Sequence, residues 1–331
     1  MSAFSPQFQV VSDLHLETPI ASPAYDYFTK FSRVPLHASN LFLLGDIGLI
    51  RDDQLFTFLR SLLSRTPNLK IFYVLGNHEA YGITMVAALT AMRRFEESTK
   101  RDFGERFFFL NRRRVDLSPT ISILGCTMWS RIEDAQAAAC TEALTDFHEM
   151  NGIRDRTVDA HNKDHARDLA WLNEQVASIS TTEPKRHIII LTHHSPTADP
   201  RANNPAHVDS KLSSGFRTDL SAEVCSKSRN VRMWAFGHTH WSCQYVDERE
   251  GSGKMLVVSE QKGYAYPEGK GTWAVRPVIV KAGDGEEGWK AVIGVTRTRG
   301  ENTDEEKREK KELCDRGDTD RTLDTRPTRK K

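Results

Sequence analysis

Cysteine pairs, long apolar runs and an excess of one charge are all missing from this sequence of 331 residues. The five cysteines are odd in number and scattered, without a CxxC pair, which argues against a disulfide framework or a structural zinc site. No stretch approaches the ~18 apolar residues of a membrane span. The first ten residues lack a basic segment followed by a long apolar one, so we expect no secretory signal. These absences together predict a cytoplasmic protein with reduced thiols.

The charges nearly cancel, since 46 basic and 45 acidic residues give a formal net charge of +1. A long polyanion needs several lysine or arginine contacts, so this balance disfavours a nucleic-acid partner. Residues 299–331 mix both charges and have almost no apolar side chains, which predicts a disordered tail after a single domain over residues 1–298. The basic end of this tail, residues 326–331, leaves a nuclear location open.

Short runs rich in Val, Ile, Leu and Phe recur along the chain and predict buried strands. They occupy residues 8–12, 41–45, 71–75, 121–125, 187–192, 233–237 and 255–259. Helical patterns occupy residues 53–65, 83–100, 141–150, 164–178 and 218–228. Asp53, Asp164 and Thr218 stand where N-caps are expected. Strands that alternate with helices predict a layered α/β fold.

The last third of the chain has a different pattern. Strands are predicted at residues 244–247, 255–259, 274–281 and 291–296, and Gly-rich turns between them indicate an antiparallel meander. Residues 197–214 are rich in Pro, Asn, Ser and Asp and predict a long functional loop. His207 in that loop is expected to be exposed to solvent rather than to contact a ligand.

Five short polar segments each follow an apolar run directly. They are Asp13-Leu14-His15, Gly45-Asp46, Gly76-Asn77-His78-Glu79, Thr192-His193-His194 and Gly237-His238-Thr239-His240. Residues i and i+2 of an extended backbone point to the same side, so each D-x-H or H-x-H pair is able to reach one ion. The carboxyl ends of parallel strands gather at one crevice. The five segments are therefore predicted to converge.

The candidate ligands in these segments are carboxylates, imidazoles and one amide, with no thiolate. They are Asp13, His15, Asp46, Asn77, His193, His238 and His240. Such donors suit Mn, Fe, Zn, Co or Ni. Seven ligands are too many for one catalytic metal but fit two divalent ions that share a carboxylate. Metals ~3.5–4 Å apart clamp the attacking and leaving oxygens of a phosphoryl displacement.

In their order these segments resemble the D-x-H, G-D, G-N-H-[DE], H and G-H-x-H blocks of the calcineurin-like metallophosphoesterase superfamily. The resemblance covers residues 8–280 and implies a four-layer α/β/β/α sandwich of two mixed β-sheets flanked by helices. It implies a first metal held by Asp13, His15, Asp46 and His240. It implies a second metal held by Asn77, His193 and His238, with Asp46 bridging the two.

The resemblance also implies that His78 contacts the phosphate and protonates the leaving group without binding metal. Residues 125–130, 146–147 and 192–196 resemble a bacterial and fungal subgroup of small metallophosphoesterases. There the first histidine of the pair is the ligand, which favours His193, while His194 lines the pocket or supports the ligands. Trp129 is either a pocket residue or a core aromatic. Asn77, Trp129 and His194 are the candidate substrate contacts.

The predicted function is hydrolysis of a small phosphomonoester or phosphodiester by a metal-bridging hydroxide, with His78 as general acid. Glu79 either orients His78 or faces solvent. Leu49 stands where purple acid phosphatases have a tyrosine ligand, and residues 45–51 lack the Gly-Asp-x-x-Asp-Arg-Gly block of protein phosphatases. A non-catalytic metal-binding scaffold remains the alternative, although no ligand is lost. The substrate, the metal and the oligomeric state stay open.

Overall fold

The computed structural model describes residues 6–18, 36–249, 251–264, 278–282 and 289–293. The strands are β1 Gln7–Val11, β2 Asn40–Leu44, β3 Lys70–Val74, β4 Phe107–Phe109, β5 Arg113–Ser118, β6 Ile121–Gly125, β7 His187–Leu191, β8 Val231–Ala235, β9 Cys243–Arg249, β10 Gly253–Ser259, β11 Val278–Lys281 and β12 Lys290–Ile293. The α-helices are α1 Asp53–Arg65, α2 Met85–Phe103, α3 Asp134–Ala143, α4 Val158–Thr182 and α5 Val224–Lys227. None of these helices is long and apolar enough to cross a bilayer.

The strands form two mixed sheets, each of six strands within the described residues. The first sheet has the order β12-β11-β1-β2-β3-β4, in which β1 to β4 are parallel and the other two are antiparallel. The second has the order β5-β6-β7-β8-β10-β9, with antiparallel strands only at its edges. The parallel strands of each sheet therefore end along one edge.

Successive side chains of a strand point to opposite faces of its sheet. Each sheet is covered on both faces, so the side chains on both sides are buried. Between the sheets lies an apolar layer in which Phe42 and Phe72 of the first sheet meet Ile189 and Met233 of the second. The ring of Phe42 stacks on Phe8, with centroids 5.2 Å apart, and meets Phe72 edge-on at 5.5 Å. This layer fixes the two sheets against each other.

Helices cover the two outer faces. Leu59 of α1 and Met92 of α2 pack with strand residues of the first sheet, while Leu172 and Val176 of α4 pack on the second. The order of layers is thus helix, sheet, sheet, helix, and the predicted α/β/β/α sandwich is confirmed.

Two helix starts differ from the sequence prediction. Asp52, one residue before Asp53, caps α1 by accepting a hydrogen bond from Gln54 N at 3.0 Å. Helix α4 begins at Val158 after the cap Thr157, so the predicted cap Asp164 lies inside the helix. Its carboxylate pairs with two arginines instead.

Other elements were also predicted wrongly. The helix expected at residues 141–150 is α3, which ends at Ala143, and the helix expected at 218–228 is confined to the four residues of α5. Thr218 accepts a hydrogen bond from Arg131 N and caps no helix. Strands β4 and β5 were missed because one is only three residues long and the other is polar and partly exposed.

The C-terminal strands do not form one meander. Strands β9 and β10 make an antiparallel pair in the second sheet, whereas β11 and β12 pair in the first. Residues 274–277 and 294–296 of the predicted strands lie outside the described residues, as does the predicted tail over 299–331. The domain boundary at residue 298 stays a prediction.

Truncating Phe42 tests the layer between the sheets. We expect Phe42→Ala to lower the free energy of unfolding by about 3–5 kcal/mol, because the cavity cannot close between two sheets. Denaturant unfolding measures this change. As a control, Val86→Ala on the exposed face of α2 should change stability by less than about 0.5 kcal/mol. Similar values for the two variants would contradict the packing described here.

Candidate metal centre

The five polar segments follow β1, β2, β3, β7 and β8, so the parallel strands deliver them to one edge. Backbone hydrogen bonds join them across the sheets. Asp13 N donates to Gly45 O at 3.1 Å, and Gly237 N donates to His193 O at 2.8 Å. The predicted convergence of the five segments is thus present in the structure.

The extended backbone that was predicted to aim each D-x-H or H-x-H pair at one ion is not what the structure has. Five candidate ligands have left-handed backbones rather than extended ones: φ is 50° at Asp13, 45° at His15, 54° at Asp46, 70° at His238 and 49° at His240. Each such residue costs about 1–3 kcal/mol and persists only where its surroundings hold it. The chain therefore turns sharply after β1, β2 and β8 and aims these side chains into the centre.

Two glycines allow the loops after β2 and β3 to touch. Gly45 has φ +87°, and a Cβ there would lie 2.5 Å from both Gly76 N and His193 Nδ1. A Cβ on Gly76 would collide with the carboxylate of Asp46. The close approach expected of these glycines is confirmed.

The first cluster contains Asp13, His15 and His240, whose ligand atoms all lie within 4.8 Å of one another. His15 Nε2 and His240 Nε2 are 3.0 Å apart, and His240 Nε2 is 3.5 Å from Asp13 Oδ1. Asp46 Oδ2 lies 3.9 Å from His15 Nε2. Two imidazoles and two carboxylates thus face one point.

The second cluster contains Asp46, His193 and His238, again within 4.8 Å. His193 Nε2 lies 3.5 Å from Asp46 Oδ1 and 3.0 Å from Asn77 Oδ1. Asp46 therefore turns one oxygen towards each cluster. The buried carboxylates, imidazoles and amide oxygen form a donor set that fits two divalent cations.

Hydrogen bonds to residues outside this cluster orient its candidate ligands. Asn77 Nδ2 donates to Asp146 Oδ1 at 2.8 Å, so the amide oxygen of Asn77 faces His193. Tyr81 Oη donates to the same Asp146 oxygen at 2.7 Å. His193 Nδ1 lies 2.7 Å from Leu44 O, which leaves Nε2 for the cluster. Such outer hydrogen bonds are typical of protein metal sites.

The buried charges shift one another's pKa values. Burial raises the pKa of Asp46, but the nearby His193 and His78 outweigh it and hold the pKa well below its usual range. Burial lowers the pKa of His193, yet Asp46 and Asp13 raise it to about 10. Burial and the charge of His193 lower the pKa of His238 to about 3. A cation that bound to His193 would therefore displace a proton.

Glu17 is a site residue that sequence reasoning missed. Its Oε1 lies 3.2 Å from His15 Nδ1 and 3.1 Å from His78 Nδ1, so one carboxylate orients both rings. Glu17, His15 and His78 also form a group able to hold an ion, but these hydrogen bonds account for their proximity. The sequence feature that could have identified Glu17 is its position two residues after His15, in Asp-Leu-His-Leu-Glu.

His78 is buried beside the clusters. Its ring packs between His15, at 4.4 Å between centroids, and Tyr81, at 4.3 Å. Burial lowers its pKa, but Asp46 and Glu17 outweigh this and raise the pKa to about 9. The imidazole is therefore held in its protonated form.

Both predictions for Glu79 were wrong, since it neither faces solvent nor bonds to the His78 side chain. The buried carboxylate accepts hydrogen bonds from Asp46 N and Gly76 N at one oxygen and from Ile47 N and Tyr73 Oη at the other, at 2.7–2.9 Å. Glu79 thereby ties the loop after β2 to the loop after β3.

The candidate substrate contacts lie at different depths. Asn77 is in the second cluster, whereas Trp129 and His194 are only 3% and 0% exposed and pack on each other at 5.1 Å. His194 also packs on His238, with centroids 4.0 Å apart. The roles of Trp129 and His194 in substrate binding stay predictions.

The region 197–214 contains only short 3-10 turns, so the predicted long loop is confirmed, and His207 is exposed. The end of this loop reaches the second cluster. Gly215 O lies 3.3 Å from His238 Nε2, and the Phe216 ring stacks on His238 at 5.0 Å. The loop is thus positioned to shape one side of the site.

The family model for calcineurin-like phosphoesterase matches residues 7–242, and the chain belongs to this family. It is 27% identical over 276 residues to an uncharacterized protein of Acanthamoeba polyphaga mimivirus, covering 77% of this chain and 90% of that protein. The structure of phosphopantetheinyl hydrolase from Mycobacterium tuberculosis aligns with a TM-score of 0.55 at 14% identity, covering 78% of this chain and 90% of that one. This likeness shows a shared fold.

Replacing Glu79 tests the tie between the two loops. In Glu79→Gln at least one backbone N–H loses its acceptor, whichever way the amide turns, because all four present partners are donors. We expect a loss of about 2–5 kcal/mol in the free energy of unfolding and weaker metal binding. Denaturant unfolding and calorimetric metal titration measure both.

Tyr73→Phe is the matched control for this prediction. It removes one of the four donors and leaves the three backbone hydrogen bonds in place. We expect the free energy of unfolding to fall by about 1 kcal/mol and the metal affinity to stay unchanged. Equal effects of the two variants would show that Glu79 does not hold the loops.

Proposed function

We propose that this protein is a two-metal phosphoesterase that hydrolyses a small phosphomonoester or phosphodiester. The observation that carries the proposal is the position of Asp46, with one oxygen towards each of two clusters of carboxylate and imidazole ligands. Membership of the calcineurin-like phosphoesterase family supports the same reaction.

In this proposal the first ion would be held by Asp13, His15 and His240 and the second by Asn77, His193 and His238, and Asp46 would serve both sites. Divalent cations at such paired sites supply Lewis acidity and a water whose pKa is close to neutral. The donor set favours Mn, Fe, Zn, Co or Ni. Asp46 is fixed for this role because His78 N donates to its Oδ1 at 2.9 Å.

His78 acts as the general acid in the proposed reaction. Its Nδ1–H donates to Glu17, so the proton that the leaving oxygen receives comes from Nε2 of the imidazolium. The hydrogen bond from the ring to the Glu17 carboxylate favours this protonated form. General acids of this kind contribute ~10²–10⁴-fold in rate.

The proposed substrate is a small molecule rather than a polymer, and the proposed location of the reaction is the cytoplasm. The formal net charge of +1 offers little attraction for a long polyanion. Gly215, directly after the loop over residues 197–214, contacts His238 of the second cluster, so this loop is placed to contribute to substrate choice. The name phosphopantetheinyl hydrolase describes the activity of the mycobacterial relative, and at 14% identity it leaves the substrate of this chain open.

The direct test is turnover of p-nitrophenyl phosphate and bis(p-nitrophenyl) phosphate by protein reconstituted with Mn, Zn or Ni. We expect two ions per chain and metal-dependent release of nitrophenol, and the preferred ester separates monoesterase from diesterase. Two bound ions without turnover of either ester would favour the non-catalytic scaffold. Neither bound metal nor turnover would refute the proposal.

Two variants separate metal binding from proton donation. We expect Asp46→Asn to lose metal and activity together, because both clusters share this carboxylate. His78→Ala should keep both ions while kcat/KM falls ~10²–10⁴-fold. Asp159→Asn, at an exposed ion pair of α4, serves as the control with unchanged activity. Full turnover by His78→Ala would remove His78 from the mechanism.

A further inference from the structure

Tyr264 lies at the mouth of the candidate metal centre and is absent from the chemistry described above. Its side chain is 53% exposed, whereas most of the ligands behind it are buried. Its ring centroid lies 4.5 Å from that of His15 and 4.8 Å from that of His240. One side of the phenol therefore packs on the first cluster, and the rest of it is accessible to a substrate.

The segment before Tyr264 is held against the loop after β1. Lys262 N donates to Ser12 O at 3.2 Å, and Gly263 N donates to Asp13 O at 3.0 Å. Gly263 has φ +74°, a conformation that favours glycine and turns the chain over His240. The position of the Tyr264 ring is thus set by the backbone that carries the first cluster.

The hydroxyl of Tyr264 lies beside the proton-donating atom of His78. Tyr264 Oη and His78 Nε2 form a hydrogen bond of 3.1 Å with each other. His78 Nδ1 is bonded to Glu17, so Nε2 is the ring nitrogen left to meet a ligand. An oxygen atom that replaces this hydrogen bond is able to accept from both groups, since atoms 3.1 Å apart can each reach it at an ordinary hydrogen-bond distance of ~2.8 Å.

We propose that Tyr264 Oη and His78 Nε2 form a donor pair for the leaving-group oxygen of the substrate. The inference rests on the proposed function, because it assigns the phenol to the side from which the leaving group departs. As the P–O bond breaks, His78 supplies the proton and Tyr264 adds a second hydrogen bond to the developing negative charge. Tyr264 keeps its own proton throughout.

This pair determines the class of substrate. Charge on the leaving oxygen is greatest for alcohols and simple phenols, whose pKa values are high, and a second donor stabilises them most. Nitrophenolate spreads its charge over the ring and gains little from the pair. The site is therefore suited to phosphoesters of ordinary alcohols or unactivated phenols.

The test compares Tyr264→Phe with the wild type on phenyl phosphate and p-nitrophenyl phosphate. We expect kcat/KM to fall about 10-fold or more on phenyl phosphate and less than about 3-fold on p-nitrophenyl phosphate, with bound metal unchanged. Tyr245→Phe on β9, which retains its ring over Arg201, should match the wild type on both esters. In a His78→Ala background, Tyr264→Phe should lower kcat/KM on phenyl phosphate by a smaller factor than it does in the wild type.

Equal losses on both esters, or none on either, would overturn the role of Tyr264 in an otherwise active enzyme. A wild type that hydrolyses neither ester would instead refute the proposed function. A second measurement needs neither metal nor turnover: in metal-free protein with ¹⁵N-labelled histidine, Tyr264→Phe should move the His78 Nε2 resonance and Tyr245→Phe should not. An unmoved resonance would overturn the contact itself.

Discussion

Hydrogen bonds between loops hold the candidate ligands in backbone conformations that none of these loops would adopt alone. Asp13, Asp46 and His238 all have left-handed backbones, at a cost of about 1–3 kcal/mol each. His15 N donates to Asp46 O at 2.9 Å, His238 N donates to Asp13 Oδ2 at 3.0 Å, and Asp46 N donates to Glu79. Each of these turned loops is thus held by hydrogen bonds to a neighbouring loop.

The apolar layer between the sheets makes this arrangement possible. Phe42 and its neighbours fix the sheets against each other, and so the strand ends of both sheets meet along one edge. The loops at this edge bury Asp13 and Asp46, whose charges need partners of opposite sign. Imidazoles provide part of that compensation, and the family's divalent cations would complete it.

Much of this site was predictable because apolar runs end directly in Asp, His or Gly-Asn-His. All seven candidate ligands are brought together as expected. The contacts of Glu17 with His78 and of Tyr264 with His78 were not predictable, since 61 and 186 residues separate these pairs and only the fold brings them close. Glu79 was misjudged because its partners are mostly backbone N–H groups, which leave no trace in side-chain patterns.

Helix and strand limits were harder to predict than the site. Strand β5 was missed because Arg113–Ser118 is polar and partly exposed, and α3 was misplaced because its sequence is nearly uniform in polarity. Strand β11 pairs with β1, and β12 pairs with β11, so both belong to the first sheet. The pairing with β1 joins distant parts of the chain, and the local turn sequences do not specify it. The sequence pattern therefore predicts the candidate ligands after each strand better than it predicts the limits of the helices and strands.

The most direct measurement is anomalous diffraction from crystals of the protein grown with Mn²⁺. We expect two peaks, one beside Asp13, His15 and His240 and the other beside Asn77, His193 and His238, with Asp46 between them. A single peak, or a peak held by Glu17 and His78, would contradict it.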